Sequence, residues 1–454
     1  MIDKKEAKKI IDYVLNESKA DQTEVVIFDF DSALTRYANN YIHQNVQEAN
    51  TGVFIRVAFG KKIGSSYTNS TTPNKVRETL RWAETIARFQ IDNPYFESLP
   101  RVKSKDYKNV VSFEAKTARI SPNERSRAVK EIIEVAKKNN LISYGSVSNG
   151  WSAAAIGNSN GTFAYRQSSD IFCNIVMATD NSTGYAQAGA KSIKDIDFTR
   201  MARIAAEKAL KSKNPVELPP GQYTTIFEPL AVSDIISYLA YYSFNGKTYE
   251  EGRSYLSGRL STQIVDNRIT IIDDPFYKKG FATPFDSEGV PKKRLVLIEK
   301  GVAKNVVYDS ITAKMAKKES TGHALMYPNP FGPIPMHIVM KGGDSSLDDM
   351  IKTVEKGILV TRLHYTNVID PYKLVFTGMT RDGTFFIENG VITRGIRNLR
   401  FTENIFDALN RVEAISQSTE LVADEPGYSL RMPHGVVVPA LKIKDFTFTS
   451  ATEF

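Results

Sequence analysis

Between residues 357 and 392 the chain reads GILVTRLHYTNVIDPYKLVFTGMTRDGTFFIENGVI, and this stretch restricts the possible folds more than any other. Runs rich in β-branched and aromatic residues at 358–364, 374–377 and 384–388 are fenced by Asp370-Pro371, Arg381-Asp382-Gly383 and Asn389-Gly390. Such side chains pack well on a pleated surface, Pro cannot donate to a strand ladder, and Asn-Gly accepts the positive φ values of a tight hairpin. A helix cannot tolerate that punctuation, whereas a three-stranded antiparallel meander requires it. Polar residues gather at its strand ends and connections. Arg362 and His364 lie two apart, so on a strand they project to one face, and a turn at Arg381-Asp382-Gly383 returns its charges to the same end. Arg362, His364, Arg381 and Asp382 are therefore a candidate rim toward a substrate or partner. The plainer alternative is a local Arg–Asp pair that fixes the turn.

The preceding sequence alternates between helical and strand periods. Ala7, Ile10, Ile11, Val14 and Leu15 fall on one stripe of an expected helix at 4–18. Strand-like runs follow at 24–30, 32–37, 41–48, 53–59 and 62–67, with Asn39-Asn40, Thr51-Gly52 and Gly60 as turns, and Pro73 opens a helix to residue 90. A Pro-, Asn- and Lys-rich passage at 92–110 closes this N-terminal α+β domain, 1–110. Ser121-Pro122-Asn123-Glu124 carries the signature of a capped helix start, leading to residue 138. Strands expected at 142–148, 151–158, 161–167, 169–179 and 182–190, with an Ala-rich helix at 198–211, make a central α+β domain, 111–214. Pro-rich residues 213–221 introduce the last domain, 215–454, with an apolar helix at 232–242, several strands at 263–309, a Gly- and Pro-rich passage at 322–335 and a helix at 346–355 ahead of the meander. The expected class is α+β: N-terminal helix and antiparallel-sheet layers, then a large β-rich domain, barrel-like or sandwich, with a few helices.

Composition narrows function mainly by exclusion. The 454 residues are 42% hydrophobic and 24% charged, as in a globular protein, and no apolar run approaches the roughly 20 residues of a spanning helix. MIDKKEAKKIIDYV lacks the apolar block of a secretory leader, so a cytoplasmic, non-membrane location is expected. The net charge of +8 comes from 59 Lys and Arg interleaved with 51 Asp and Glu. Its densest groups, Lys4-Lys5 with Lys8-Lys9 and Lys314 with Lys317-Lys318, have the pattern of solvated helix faces rather than a nucleic-acid footprint. Cys173, the single cysteine, excludes an internal disulfide and any multi-cysteine zinc site, and its setting DIFCNIVMA is that of a buried strand residue.

Three patterns invite catalytic readings. VVIFDFDSALTR at 25–36 places Asp29 and Asp31 two apart after an apolar strand, as in Mg²⁺-dependent phosphatases, with Asp273-Asp274 as an available metal partner. That motif needs a loop into a helix, however, and here a second strand and Asn39-Asn40 follow. Gly157-Asn158-Ser159-Asn160-Gly161 satisfies the nucleophile-elbow pattern around Ser159, but a strand stands where the elbow needs a helix, and Asn-Ser-Asn-Gly is hairpin-turn chemistry. His43, His323, His337, His364 and His434 are never closer than 14 positions, so none shares a helix face with another. His43 reads as a cross-strand packing residue and His364 as a structural histidine.

Five segments together carry a family resemblance: TRYANNYIHQN at 35–45, PVELPPGQYTTIFEP at 215–229, FDSEGVPKKRLVLIEKGV at 285–302, TGMTRDGTFFIENGVI at 377–392, and VVPALKIKDFTFT at 437–449. In this order they resemble the TldD/PmbA family along nearly the whole chain. The family includes zinc peptidases that carry His-Glu-x-x-x-His on a helix of the C-terminal domain, with a cysteine ligand nearer the C-terminus, and a second kind without the metal residues. Laid on PPGQYTTIFEPLAVSDIISYLAYYSFNG, the resemblance puts Ser237, Tyr238 and Tyr242 where the two histidines and the glutamate would stand. A serine hydroxyl or a neutral phenol, with a pKa of roughly 10, neither binds zinc as imidazole does nor takes a proton from bound water. The chain contains no His-Glu pair, and ADEPGYSLRMPHG before the closing strand contains no cysteine.

The resemblance is thus to the metal-free PmbA (TldE) type. It implies no catalytic residue and no metal in this chain, with zinc held by a TldD-like paralogue. The pair would act as a peptidase on small or unfolded polypeptides, and a homodimer is the alternative assembly. Two other classes remain open at this stage: an independent Mg²⁺-dependent hydrolase using Asp29 and Asp31, and a non-catalytic binding scaffold.

Overall fold

A computed structural model describes residues 1–427 and 430–452. Its first six strands are β1 (Gln22–Ala38), β2 (Tyr41–Phe59), β3 (Lys62–Thr68), β4 (Ile142–Asn158), β5 (Phe163–Ala178) and β6 (Thr183–Ala190). They form one antiparallel sheet in the order β3-β2-β1-β4-β5-β6. Because β1 pairs with β4 over its length, residues 1–110 and 111–214 contribute three strands each to the same sheet. The four long helices Lys4–Glu17, Pro73–Phe89, Pro122–Lys138 and Phe198–Lys211 cover one face through two apolar clusters. The third begins with the expected capping box, Ser121 accepting from the Glu124 amide and Glu124 from the Ser121 amide. The opposite face presents Val26, Phe28, Ala154 and Ile156 to Phe285 of the C-terminal domain.

Two expected interruptions are continuous strand. Thr51-Gly52 lies inside β2 opposite Asp29 and Phe28, and Asn149-Gly150 lies inside β4 opposite Ala33 and Ser32. Glycine at 150 serves close approach rather than chain reversal: a Cβ there would lie 2.1 Å from the Asp31 carbonyl oxygen and 2.6 Å from Arg431 Cδ.

The remaining strands are β7 (Gly221–Phe227), β8 (Ile271–Asp273), β9 (Leu295–Glu299), β10 (Val302–Ala303), β11 (Ile338–Met340), β12 (Lys356–Asp370), β13 (Val375–Glu388), β14 (Val391–Gly395), β15 (Leu399–Asn404), β16 (Val412–Ala423) and β17 (Gly435–Ala451). Pairing runs β7-β12-β13-β15-β17 and returns from β17 to β7, which closes a five-stranded, barrel-like ring. Helix Pro229–Ser243 buries Val232, Ile235, Ile236 and Leu239 in the same core as Phe227, Phe376, Phe401, Phe446 and Phe448. No helix among the described residues is long and apolar enough to cross a membrane.

β12, β13 and β14 are the three antiparallel strands of the expected meander. Asn389-Gly390 turns the chain with φ of 50° and 76°, as that dipeptide favours. Arg381-Asp382-Gly383, expected as a turn, is instead a bulge within β13. Asp382 and Gly383 together oppose the single residue Thr361, with φ of 53° and 124°, and the ladder resumes at Arg362 and Arg381.

Candidate functional site

The helix Pro229–Ser243 starts directly after β7, with Pro229 at its first position, where a missing N–H costs nothing. Its apolar stripe points into the ring, which leaves Asp234, Ser237, Tyr238, Tyr241 and Tyr242 on the other side. These residues floor a cleft of about 590 Å³ whose far wall includes Asn367 of β12 and Asp424 and His434 from the segment leading into β17. All three positions given by the family resemblance, Ser237, Tyr238 and Tyr242, therefore meet in one cleft. Tyr238 donates its hydroxyl to the Thr366 carbonyl oxygen at 2.7 Å, and its ring stacks on Tyr242 with centroids 6.3 Å apart.

The cleft's charges are mutually arranged. His434 Nε2 lies 2.8 Å from Asp424 Oδ2. Burial pulls the His434 imidazole down, but the hydrogen bond to Asp424 and its charge outweigh that and leave it above the usual range. Burial pushes the Asp234 carboxyl up to about 7, with Arg362 opposing and Asp424 reinforcing the shift. Zinc does not fit here. The motif positions offer a hydroxyl and two phenols, one already committed, and among the described residues no group of three or more His, Cys, Asp or Glu is disposed to hold a metal ion.

The four meander residues do not line this cleft. Asp382 is only 3% exposed; it accepts from Arg362 Nε at 2.6 Å and from the Thr183 hydroxyl of β6 at 2.6 Å. The Arg362 guanidinium lies over the Tyr185 ring at 4.1 Å. The bulge thus turns Asp382 inward, and the Arg362–Asp382 pair joins the C-terminal ring to the N-terminal sheet. Arg381 Nε is 3.9 Å from Asp382 Oδ1 on a side chain 42% exposed. His364 is half-buried beside Tyr365, and burial together with Arg381 and Arg362 lowers its pKa.

The other sequence candidates have structural partners. Asp29 accepts from the Thr51 hydroxyl at 2.7 Å and from the Ile2 amide, and Asp31 accepts from the Gln47 amide at 2.9 Å. Ser159 sits in the β4–β5 turn and accepts from the Thr23 amide at 3.1 Å. Asp274 accepts from the Phe276 amide at 3.1 Å. Cys173 is fully buried, and burial raises its thiol.

Asp273 belongs to a cluster that sequence spacing does not reveal. Its carboxylate is fully buried, with Oδ1 3.2 Å from His323 Nε2 and 4.0 Å from His337 Nδ1, while Oδ2 accepts from the His337 amide at 2.9 Å. Burial opposes ionisation of Asp273, but His323 and Lys292 outweigh it and hold the carboxyl well below its usual range. His337 is lowered to about 3, first by burial and then by Lys292. His323, His337 and Lys292 line a small, partly open cavity between the domains, against Val26, Phe28 and Arg166 of the N-terminal sheet. Ile334, Met336 and His434 line both this cavity and the larger cleft.

The architecture is a helix-covered antiparallel sheet docked on a β-rich ring, with a cleft over the ring's apolar helix. The chain belongs to the PmbA/TldD metallopeptidase family: residues 24–87, 115–213 and 220–450 match the PmbA/TldA metallopeptidase domain 1, central domain and C-terminal domain. It is similar to Metalloprotease PmbA of Escherichia coli O157:H7, 25% identical over 89% of this chain and 90% of that protein. A Metalloprotease TldD homolog of Haemophilus influenzae is 26% identical over 56% of this chain and 53% of its own length. The crystal structure of TldE from Thermococcus kodakarensis shares the fold, with a TM-score of 0.85 at 22% identity, covering 97% of this chain and 99% of that one.

Proposed function

We propose that this chain is the non-zinc subunit of a TldD/PmbA-type metalloprotease complex, cytoplasmic, pairing with a zinc-bearing TldD-like paralogue to degrade or process small or unfolded polypeptides. The observation that carries this reading is the cleft itself. Its floor is the helix on which zinc peptidases of the resembled kind hold their metal, and here that helix offers Ser237, Tyr238 and Tyr242. The cleft is lined with three tyrosines and the Asp424–His434 pair, and a hydroxyl and phenols at the motif positions are poor donors for zinc. Such a surface suits binding an extended peptide through aromatic contacts and a few polar groups. Hydrolysis is then the task of the partner.

The test is to purify the chain alone and together with a paralogue carrying His-Glu-x-x-x-His, and to measure bound metal and peptide cleavage in both samples. Metal-free, inactive protein alone and zinc-dependent cleavage in the mixture are expected. Stoichiometric zinc in the isolated chain, retained after mild chelation, overturns the reading.

A further inference from the structure

The cavity between the domains holds an arginine with no acceptor of its own. Arg166 reaches it from β5, on the face of the sheet opposite the four helices. Among the described residues, Arg166 makes no hydrogen bond or ion pair. Lys292, the second cation of the cavity, is accounted for: it donates to the Gly322 carbonyl oxygen at 2.9 Å, and the charges of Asp273 and Asp286 act on it. Asp286 is itself spent on backbone amides, accepting from Glu288, Val290 and Ala324. Burial alone pulls the Arg166 guanidinium down to about 10. A half-buried guanidinium that faces a cavity and has no acceptor in the protein is a ready partner for an anionic ligand.

The geometry points to a binding site for a small carboxylate, with Arg166 as its counter-ion and Phe28, Phe285 and Met336 as the walls for a short apolar chain. On the peptide-handling reading above, on which this inference rests, the ligand is the C-terminal residue of a peptide lying in the adjoining cleft. Size and charge both select that chemistry. The cavity's volume is about 70 Å³, room for roughly five waters at ~10–15 Å³ each, which suits a carboxylate and a few carbon atoms. A carboxylate carries one charge against one unanswered guanidinium, and the planar fork of arginine matches its two oxygens. A phosphate group, with a charge of about −1.5 to −2, would leave negative charge uncompensated here.

The experiment uses the full chain without any partner: thermal shift and calorimetric titration with N-acetyl-L-leucine, its carboxamide, and inorganic phosphate at matched ionic strength. The acid should raise the melting temperature in a concentration-dependent way, and the carboxamide and phosphate should not. Arg166→Gln should weaken the acid at least about tenfold while raising the melting temperature of the free protein, because it removes an unpaired charge. Should that variant fail to fold, Arg166→Lys keeps the charge without the fork and should also weaken binding. Equal response to acid and carboxamide, equal response to phosphate, or unchanged affinity in whichever variant folds overturns the proposal. Since no paralogue is present, failure here with intact zinc-dependent cleavage by the mixture rejects the pocket and leaves the proposed function standing.

Discussion

Arg431, in the segment leading into the last strand, grips Asp170 of the N-terminal sheet with both arms of its guanidinium, at 2.8 and 2.7 Å. The third nitrogen donates to the Ser32 and Ser148 hydroxyls at 2.9 and 2.8 Å. Both side chains are almost fully buried, and the missing Cβ of Gly150 makes room for the arginine. The pair pins to the central sheet the same segment that brings Asp424 and His434 to the cleft.

Removing one partner of a buried pair strands the other charge, at a cost of about 3–5 kcal/mol. Arg431→Met should therefore lower unfolding free energy by that order in urea titration and open the segment around residues 424–434 to limited proteolysis. A loss under about 0.5 kcal/mol, with an unchanged cleavage pattern, would show that the anchor is dispensable.

The core helix makes a simpler prediction. Leu239 is 0% exposed and packs in the cluster that fills the ring. Leu239→Ala should destabilise the protein by about 2–5 kcal/mol, with chemical denaturation as the measurement. The exposed Ser237 on the same helix should tolerate Ala within about 0.5 kcal/mol.

Local chemistry and long-range pairing explain what was legible in the sequence. The Ser121–Glu124 cap, the Asn389-Gly390 turn and the apolar stripe of helix 229–243 are set by residues within a few positions of each other, and they read correctly. Thr51-Gly52, Asn149-Gly150 and Arg381-Asp382-Gly383 have turn composition but lie within strands, because their pairing partners come from distant sequence: Asp29 and Phe28, Ala33 and Ser32, and Thr361. The cleft was visible only through the family resemblance, which placed Ser237, Tyr238 and Tyr242. Nothing in their spacing announces that Arg166, Asp273, His323 and His337 converge, since three separate stretches of chain meet there.

The Arg362–Asp382 pair separates a structural role from a rim role. Asp382→Ala leaves Arg362 without its carboxylate and Thr183 without its acceptor, so a loss of roughly 2–4 kcal/mol is expected from breaking a buried, hydrogen-bonded ion pair. Arg381→Ala, on an exposed side chain, should cost no more than about 0.5 kcal/mol. A double-mutant cycle between Thr183→Val and Asp382→Ala should give a coupling of about 0.5 kcal/mol or more. Additive effects would mean that the bridge between ring and sheet contributes nothing.

The pH response of the cleft follows from Asp234. Its carboxyl is at about 7 in the folded protein, raised by burial against the opposing charge of Arg362, from a value of 3.8. A carboxyl raised on folding binds more protons in the folded than in the unfolded state between those two values. Stability from this group is therefore fully present below about pH 4 and lost as pH rises through about 7. His323 and His337, both lowered on folding, act with the opposite sign, since the unfolded chain takes up protons there below about pH 6.5. The total pH profile mixes these contributions, so the informative quantity is the difference between wild type and Asp234→Asn. The asparagine variant lacks the ionisable group but keeps its shape. Relative to it, the wild type should lose stability steadily from pH 5 to pH 7.5 and then level off, as followed by melting temperature in matched buffers. Arg362→Ala should extend the decline to higher pH, because it removes the charge that favours ionised Asp234. A difference that stays flat across this range would mean that Asp234 ionises normally and that the cleft floor is wetter than its burial implies.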